Sequence, residues 1–252
     1  MHSKNISKVI RNVYNEFAKL GWYDEGEENY FTNQKNRYHK ILEYIFKINP
    51  IERNNLLDVG SHMLQFSIIA KELGYDVSCT DVEQFVNNKI NDLRLKHFNL
   101  PKPKICQLED YSIPFDSNSF DVIVFSETLE HLNFNPLPVL DEFNRLLKPG
   151  GIVIISTPNV ARLGNRIKLL LGGNIYTALQ DYCYGDPLGV HRREYISTEV
   201  EQLLIWSKFS IALSKIKFTY PKNYFLFIIE RFVQFVFPTM AGTLYVIGQK
   251  NK

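Results

Sequence analysis

The stretch Asn55–Leu64, NLLDVGSHML, constrains this chain more than any other. Leu56, Leu57 and Val59 predict a short buried strand, and Gly60 marks its end, where the chain must turn. Such a turn opens a helix, expected over about 64–73, whose first N–H groups lack intrahelical partners and can face a polar ligand. A second strand, predicted over 77–80, runs into Asp81, about 20 residues beyond Gly60. A carboxylate at the tip of the second strand suits a ribose diol, because it accepts both hydroxyl protons. The pattern implies a ligand that carries a nucleoside.

The rest of the chain extends this unit. Apolar runs predict strands at 104–108, 120–125, 151–156, 210–218 and 243–249, and helical spacing intervenes at 82–98, 137–147, 160–171 and 198–206. Short apolar strands separated by helices make a parallel α/β sheet covered on both faces. Two amphipathic helices, 4–20 and 33–48, precede it, so residues 1–50 read as a helical cap and 51–252 as the main domain. Between those helices the acidic stretch Asp24–Glu28 is expected to be a solvated loop. Arg37 on the second helix has two readings, a bidentate donor to a ligand carboxylate or, more plainly, a solvated side chain. Residues 159–197 form an insertion on the substrate side, with Tyr176, Tyr182, Tyr184 and His191 suited to a pocket wall. The apolar segment Tyr224–Phe237 is expected to pack on the sheet, with a homodimer contact or a peripheral membrane contact as its alternatives.

Composition narrows the partners. A hydrophobic content of 45% supports a sizeable core, and a net charge of +2 gives no reason to expect nucleic acid. Cys79, Cys106 and Cys183 are too scattered for a disulfide or metal framework, and no aspartate-rich metal pattern stands out. The first residues lack a signal-peptide core, and no run reaches the roughly 18 apolar residues of a spanning helix. A cytoplasmic protein without a transmembrane segment is expected.

Three further stretches, IPFDSNSFDVIVFSETLEHL (113–132), LDEFNRLLKPGGIVIISTPN (140–159) and HRREYISTEVEQLL (191–204), resemble the class I S-adenosylmethionine-dependent methyltransferases. The likeness is nearest to the small-molecule branch often associated with glycan biosynthesis. It implies a Rossmann-like α/β fold with seven strands, mostly parallel, the last antiparallel and inserted beside the fifth. It also implies S-adenosyl-L-methionine as cofactor. Carried over by position, Asp58, Gly60 and Ser61 form the glycine-rich turn, Asp81 holds the ribose and Val82 lies against the adenine. Glu109 and Asp110 both stand where an acidic residue meets the adenine amino group, and Ser126 approaches the methionine end. The family usually has glycines where this chain has His62 and Leu64. If either must take positive φ, the cost is on the order of 1–2 kcal/mol.

Methyl transfer to a hydroxyl requires a positioned acceptor and removal of its proton. His131, just beyond the fourth strand, stands at the edge where such sheets bind ligands and can serve as the base or simply shape the pocket. His191 is a second catalytic candidate, and Glu127, Tyr184, His191 and Arg192 are candidates for binding the acceptor. The expected function is O-methylation of a small molecule, with a sugar or glycan precursor foremost. The competing reading is a methyltransferase-fold binding or scaffold protein without turnover, because of His62 and Leu64. A nicotinamide-dependent oxidoreductase fits less well, since only one of its three expected glycines is present.

Overall fold

In a computed structural model, which describes residues 2–23, 26–48, 55–186, 188–218 and 235–251, seven strands form one sheet in the order β3-β2-β1-β4-β5-β7-β6. The strands are β1 (Asn55–Val59), β2 (Asp76–Asp81), β3 (Lys104–Ile105), β4 (Phe120–Ser126), β5 (Leu147–Pro158), β6 (Phe209–Lys217) and β7 (Thr243–Lys250). β1 pairs in parallel with β2 and β4, β2 with β3, and β4 with β5, whereas β7 runs antiparallel between β5 and β6. This is the sheet the resemblance implied, including the inverted last strand.

Side chains alternate across the central strands and feed two cores. Leu56, Val122, Val124, Ile152, Ile154 and Ile247 face one side, where α1 (His2–Leu20), α2 (Glu27–Ile48) and α3 (Gln65–Glu72) lie. Leu57, Ile123, Phe125, Val153, Ile155 and Val246 face the other side, covered by α6 (Leu137–Leu146) and α9 (Ser197–Trp206). The two leading helices therefore share the sheet's core: Ile6, Ile10, Val13 and Phe17 of α1 join Ile41, Leu42 and Ile45 of α2 in the first cluster.

Several boundaries differ from expectation, each for a local reason. The helix expected over 82–98 is two, α4 (Glu83–Val86) and α5 (Lys89–His97), because the Asn88 carboxamide accepts from the N–H groups of Ile90 and Asn91 and starts a new helix. The insertion carries α7 (Leu163–Leu170) and α8 (Leu179–Tyr184), and α7 ends where Gly172 takes φ 77 and Gly173 N–H reaches the Lys168 carbonyl at 2.7 Å. The insertion returns to the sheet through a bridge between Asn159 and Tyr195. Of the apolar segment 224–237, only Phe235, Val236 and Phe237 lie among the described residues, and all three are exposed.

α2 begins earlier than its apolar spacing suggests, and the reason is electrostatic. Glu27, expected in a solvated loop, is buried and holds Arg94 of α5 at 2.8 Å. Arg94 is itself fully buried; it also donates to the Met63 carbonyl at 2.9 Å and to the Trp22 carbonyl. Gln65 donates to Glu27 at 2.9 Å and accepts from the Tyr38 hydroxyl at 2.9 Å. One buried ion pair thus joins the connector before α2, the turn after β1, and α5. Breaking such a pair leaves a charge without its counterion, at a cost of about 3–5 kcal/mol. Arg94→Met should lower the unfolding free energy by about that amount in urea titration. A loss under about 1 kcal/mol would mean that the pair contributes little.

Candidate active site

The carboxyl ends of β1, β2 and β4 open into a cavity of about 680 Å³. One end is walled by Gly60, His62, Asp81, Val82, Phe85 and Glu109. The other is walled by Glu127, Glu130, His131, His191 and Arg192, with Tyr30, Gln34 and Arg37 contributed by α2.

At the first end the turn takes left-handed backbone at every second residue: Gly60 at φ 78, His62 at φ 47 and Leu64 at φ 62. Glycine carries this conformation without strain; the other two cost roughly 1–2 kcal/mol each. Three side chains hold the turn in place. Asp81 Oδ2 accepts the His62 N–H at 2.5 Å, Asn91 donates to the His62 carbonyl at 3.0 Å, and Arg94 takes the next carbonyl. Leu64 is fully buried in the core, and the His62 ring stands edge-on between Tyr30 and Phe85. Gly60 allows a close approach of a second kind, since a Cβ there would lie 2.6 Å from Thr128 Oγ1.

The Asp81 carboxylate takes one backbone N–H on each oxygen, from His62 and from Val82 at 2.7 Å. Each oxygen keeps capacity to accept a further hydrogen bond. Burial pushes its pKa up to about 6. Asp58 and Ser61 play a different part: both are buried and neither is on the cavity wall. Asp58 accepts the Ser67 hydroxyl at 2.5 Å, and burial raises its pKa to about 7. They support the turn from behind. Of the two acidic residues considered for the adenine, Glu109 lines the cavity and Asp110 does not.

The second end is assembled by backbone. Arg192 and Arg193 N–H donate to the Glu130 carbonyl at 2.7 and 3.2 Å, and His131 Nδ1 meets the Val190 carbonyl at 3.1 Å. These contacts lay the insertion on the turn after β4 and set the His131 and His191 rings edge to face at 4.9 Å. His191 Nδ1 faces Glu194 at 3.2 Å, and Glu194 is also paired with Arg162. Arg37, against the solvated reading, is 2% exposed and grips Glu127 at 2.5 Å. Glu130 is fully buried; Thr157 donates to its Oε2 at 2.8 Å, and burial together with the Glu127 charge raises its pKa. Burial and the neighbouring His191 lower the pKa of His131, which keeps its imidazole neutral near pH 7. Ser126 also lines the cavity, its hydroxyl 2.8 Å from that of Ser156. Tyr184, considered for acceptor binding, is 89% exposed on α8 and stands off the cavity wall. The insertion lines the wall instead with Asp186, Leu188, Gly189, His191 and Arg192.

A profile of the methyltransferase-domain family matches residues 30–204. The chain belongs to that family. An uncharacterized protein of Methanocaldococcus jannaschii is 28% identical to this methyltransferase over 207 residues, covering 76% of this chain and 77% of that one. The mitochondrial ubiquinone biosynthesis O-methyltransferase of Dictyostelium discoideum is 28% identical over 153 residues, 56% of this chain and 44% of its own. Among solved structures, a SAM-dependent methyltransferase from Archaeoglobus fulgidus superimposes with a TM-score of 0.58 at 15% identity, covering 88% of this chain and 99% of that one. S-adenosylmethionine is the cofactor, and when bound it supplies an electrophilic methyl group on a sulfonium. The first end of the cavity has groups of the kind its nucleoside would need: the part-buried Asp81 carboxylate, the apolar Val82 and Phe85, and the acidic Glu109. The altered turn takes, at His62 and Leu64, the left-handed backbone that glycine carries without strain.

Some of this was hidden from sequence. No local signal marks Tyr30, Phe85 or Thr128, and Arg37 reads more plainly as solvated, because its partner, Glu127, is distant in sequence. His131 just beyond the fourth strand and the His191-Arg192 pair were the signs the sequence offered of the second end.

Two outcomes follow. Leu64→Gly would relieve about 1–2 kcal/mol of backbone strain but empty a core site worth about 2–5 kcal/mol. It should therefore destabilise by about 2 kcal/mol in denaturant titration, although it restores the family's usual residue. Because Asp81 ionises only above about pH 6 in the free protein, acidification removes the acceptor its ribose partner needs. Cofactor affinity measured by calorimetry should fall about tenfold from pH 7 to pH 5, and Asp81→Asn should flatten that dependence.

Proposed function

We propose that this methyltransferase transfers a methyl group to a hydroxyl oxygen of a small acceptor bound between α2 and the turn after β4. The observation that carries this reading is the His131–His191 pair on the same cavity as Asp81. With each Nδ1 engaged by an oxygen, each Nε2 holds a lone pair available to an acceptor proton. An amine acceptor that arrives neutral needs less from such a pair, whereas a hydroxyl must lose its proton as the new bond forms. The Dictyostelium relative, named for O-methylation in ubiquinone biosynthesis, supports oxygen as the acceptor atom. Sugar nucleotides and glycan precursors remain the first acceptors to try; Glu127, His191 and Arg192 give the polar contacts a polyol would use.

The test is release of S-adenosylhomocysteine with a panel of sugar, phenol, amine and thiol acceptors. Turnover with a hydroxyl acceptor is expected; turnover confined to amines or thiols would overturn the oxygen assignment. His131→Ala should lower turnover about 10²-fold while cofactor affinity is retained. Equal losses of both would make His131 a residue that shapes the cofactor pocket.

A further inference from the structure

The turn after β1 carries a polar side chain that its backbone does not require. At φ 47 His62 takes the left-handed conformation, which glycine adopts without strain. Its N–H and carbonyl are already held, by Asp81 at 2.5 Å and by Asn91 at 3.0 Å. Leu64, the other strained position, is fully buried and packs in the core. His62 gains less from burial, being half-buried with its side chain on the cavity wall.

The imidazole is nevertheless fixed. It stands edge-on to Tyr30 of α2, with ring centroids 5.5 Å apart, and to Phe85 of α4 at 4.5 Å. Both of those rings line the same cavity, and Arg37 hydrogen-bonds the Tyr30 hydroxyl. A phenyl ring would fill this place as well; an imidazole adds two polar atoms. Neither ring nitrogen is hydrogen-bonded among the described residues, and neither is fully buried. Burial lowers the pKa of the imidazole, so near pH 7 the ring is neutral, with one N–H to donate and one lone pair to accept.

The neighbouring carboxylate says what such a ring can meet. Asp81 Oδ2 accepts the N–H of His62 itself, so carboxylate and imidazole rise from one hydrogen-bonded unit. A sugar hydroxyl that donates its proton to a carboxylate keeps lone pairs on its oxygen, and an imidazole N–H is the complementary donor. We propose that the His62 imidazole binds the cofactor directly, by a hydrogen bond to a ribose hydroxyl of S-adenosylmethionine beside the Asp81 carboxylate. A side chain then does what the family's usual glycine leaves to bare backbone, and Tyr30 and Phe85 hold its ring in place. The inference concerns the cofactor and is independent of the acceptor; it rests on the ribose lying at Asp81.

The experiment is calorimetric titration of the wild type, His62→Gly and His62→Phe with S-adenosylhomocysteine and with its 2′-deoxy and 3′-deoxy analogues. His62→Gly relieves the strained backbone, and His62→Phe keeps a ring between Tyr30 and Phe85 without the nitrogens. Both variants should bind S-adenosylhomocysteine about 5–10-fold more weakly than the wild type. With one of the two deoxy analogues they should match the wild type, which also shows that they are folded. Affinity for S-adenosylhomocysteine kept or raised in either variant would overturn the proposal. An equal loss with the parent ligand and with both analogues would overturn it too, making the imidazole a packing group. Asp81→Asn separates the inference from its premise. Discrimination against the deoxy analogues that is lost in Asp81→Asn but kept in both His62 variants would leave the ribose at Asp81 and remove His62 from the contact. A wild type that binds both analogues as tightly as the parent would overturn premise and inference together.

Discussion

The structure depends on a turn that its own sequence resists. Between β1 and α3 the chain takes left-handed backbone three times, and two of those positions carry side chains. That geometry persists because groups remote in sequence hold the carbonyl and N–H groups of the turn: Asp81 from β2, and Asn91 and Arg94 from α5. Arg94 is the strongest of these, since its charge is balanced by Glu27 and its two terminal nitrogens also donate to the Met63 and Trp22 carbonyls. The same ion pair starts α2, and α2 carries Tyr30, Gln34 and Arg37 to the cavity. The turn after β1 and the helix over the second end of the cavity are thus secured by one buried contact.

His62 and Leu64 also show that a glycine can be replaced by packing. Leu64 repays its strained backbone by entering the core, and His62 by standing between two aromatic rings. Burial of a leucine side chain is worth about 1.5–3 kcal/mol, against a strain of about 1–2 kcal/mol. The balance favours the observed residue. What a glycine adds beyond φ is close approach of its backbone to a ligand, and here only Gly60, against Thr128, still requires it.

The legible part of the chain was the part governed by local periodicity. Apolar runs located the strands, and the spacing of Gly60 and Asp81 located the first end of the cavity. Contacts between distant segments could not be read in the same way. Glu27 looks like a loop residue because its partner, Arg94, belongs to another helix. Arg37 looks solvated for the same reason, its partner being Glu127. Tyr184 failed in the opposite direction: an aromatic residue in an insertion suggests a pocket wall, but α8 leaves it exposed and the loop after α8 does the lining. The nearness of His131 to His191 required two backbone hydrogen bonds and one from the His131 ring to a backbone carbonyl, which no motif announces.

The turn after β4 is where the two ends become one site. Thr128 lies against Gly60 at the first end, while Glu130 and His131 line the second. Between them Glu127 takes φ 51, a conformation that glycine would adopt without strain. A glycine there would lose the carboxylate that Arg37 grips, and would leave a buried guanidinium without that partner. The cost of stranding a buried charge, about 3–5 kcal/mol, exceeds the strain of one left-handed residue, about 1–2 kcal/mol. The strained glutamate is therefore the more stable choice, and it brings a second carboxylate beside Glu130. The closeness of the two carboxyl groups is thus a consequence of anchoring α2, and it is one cause of the raised pKa of Glu130.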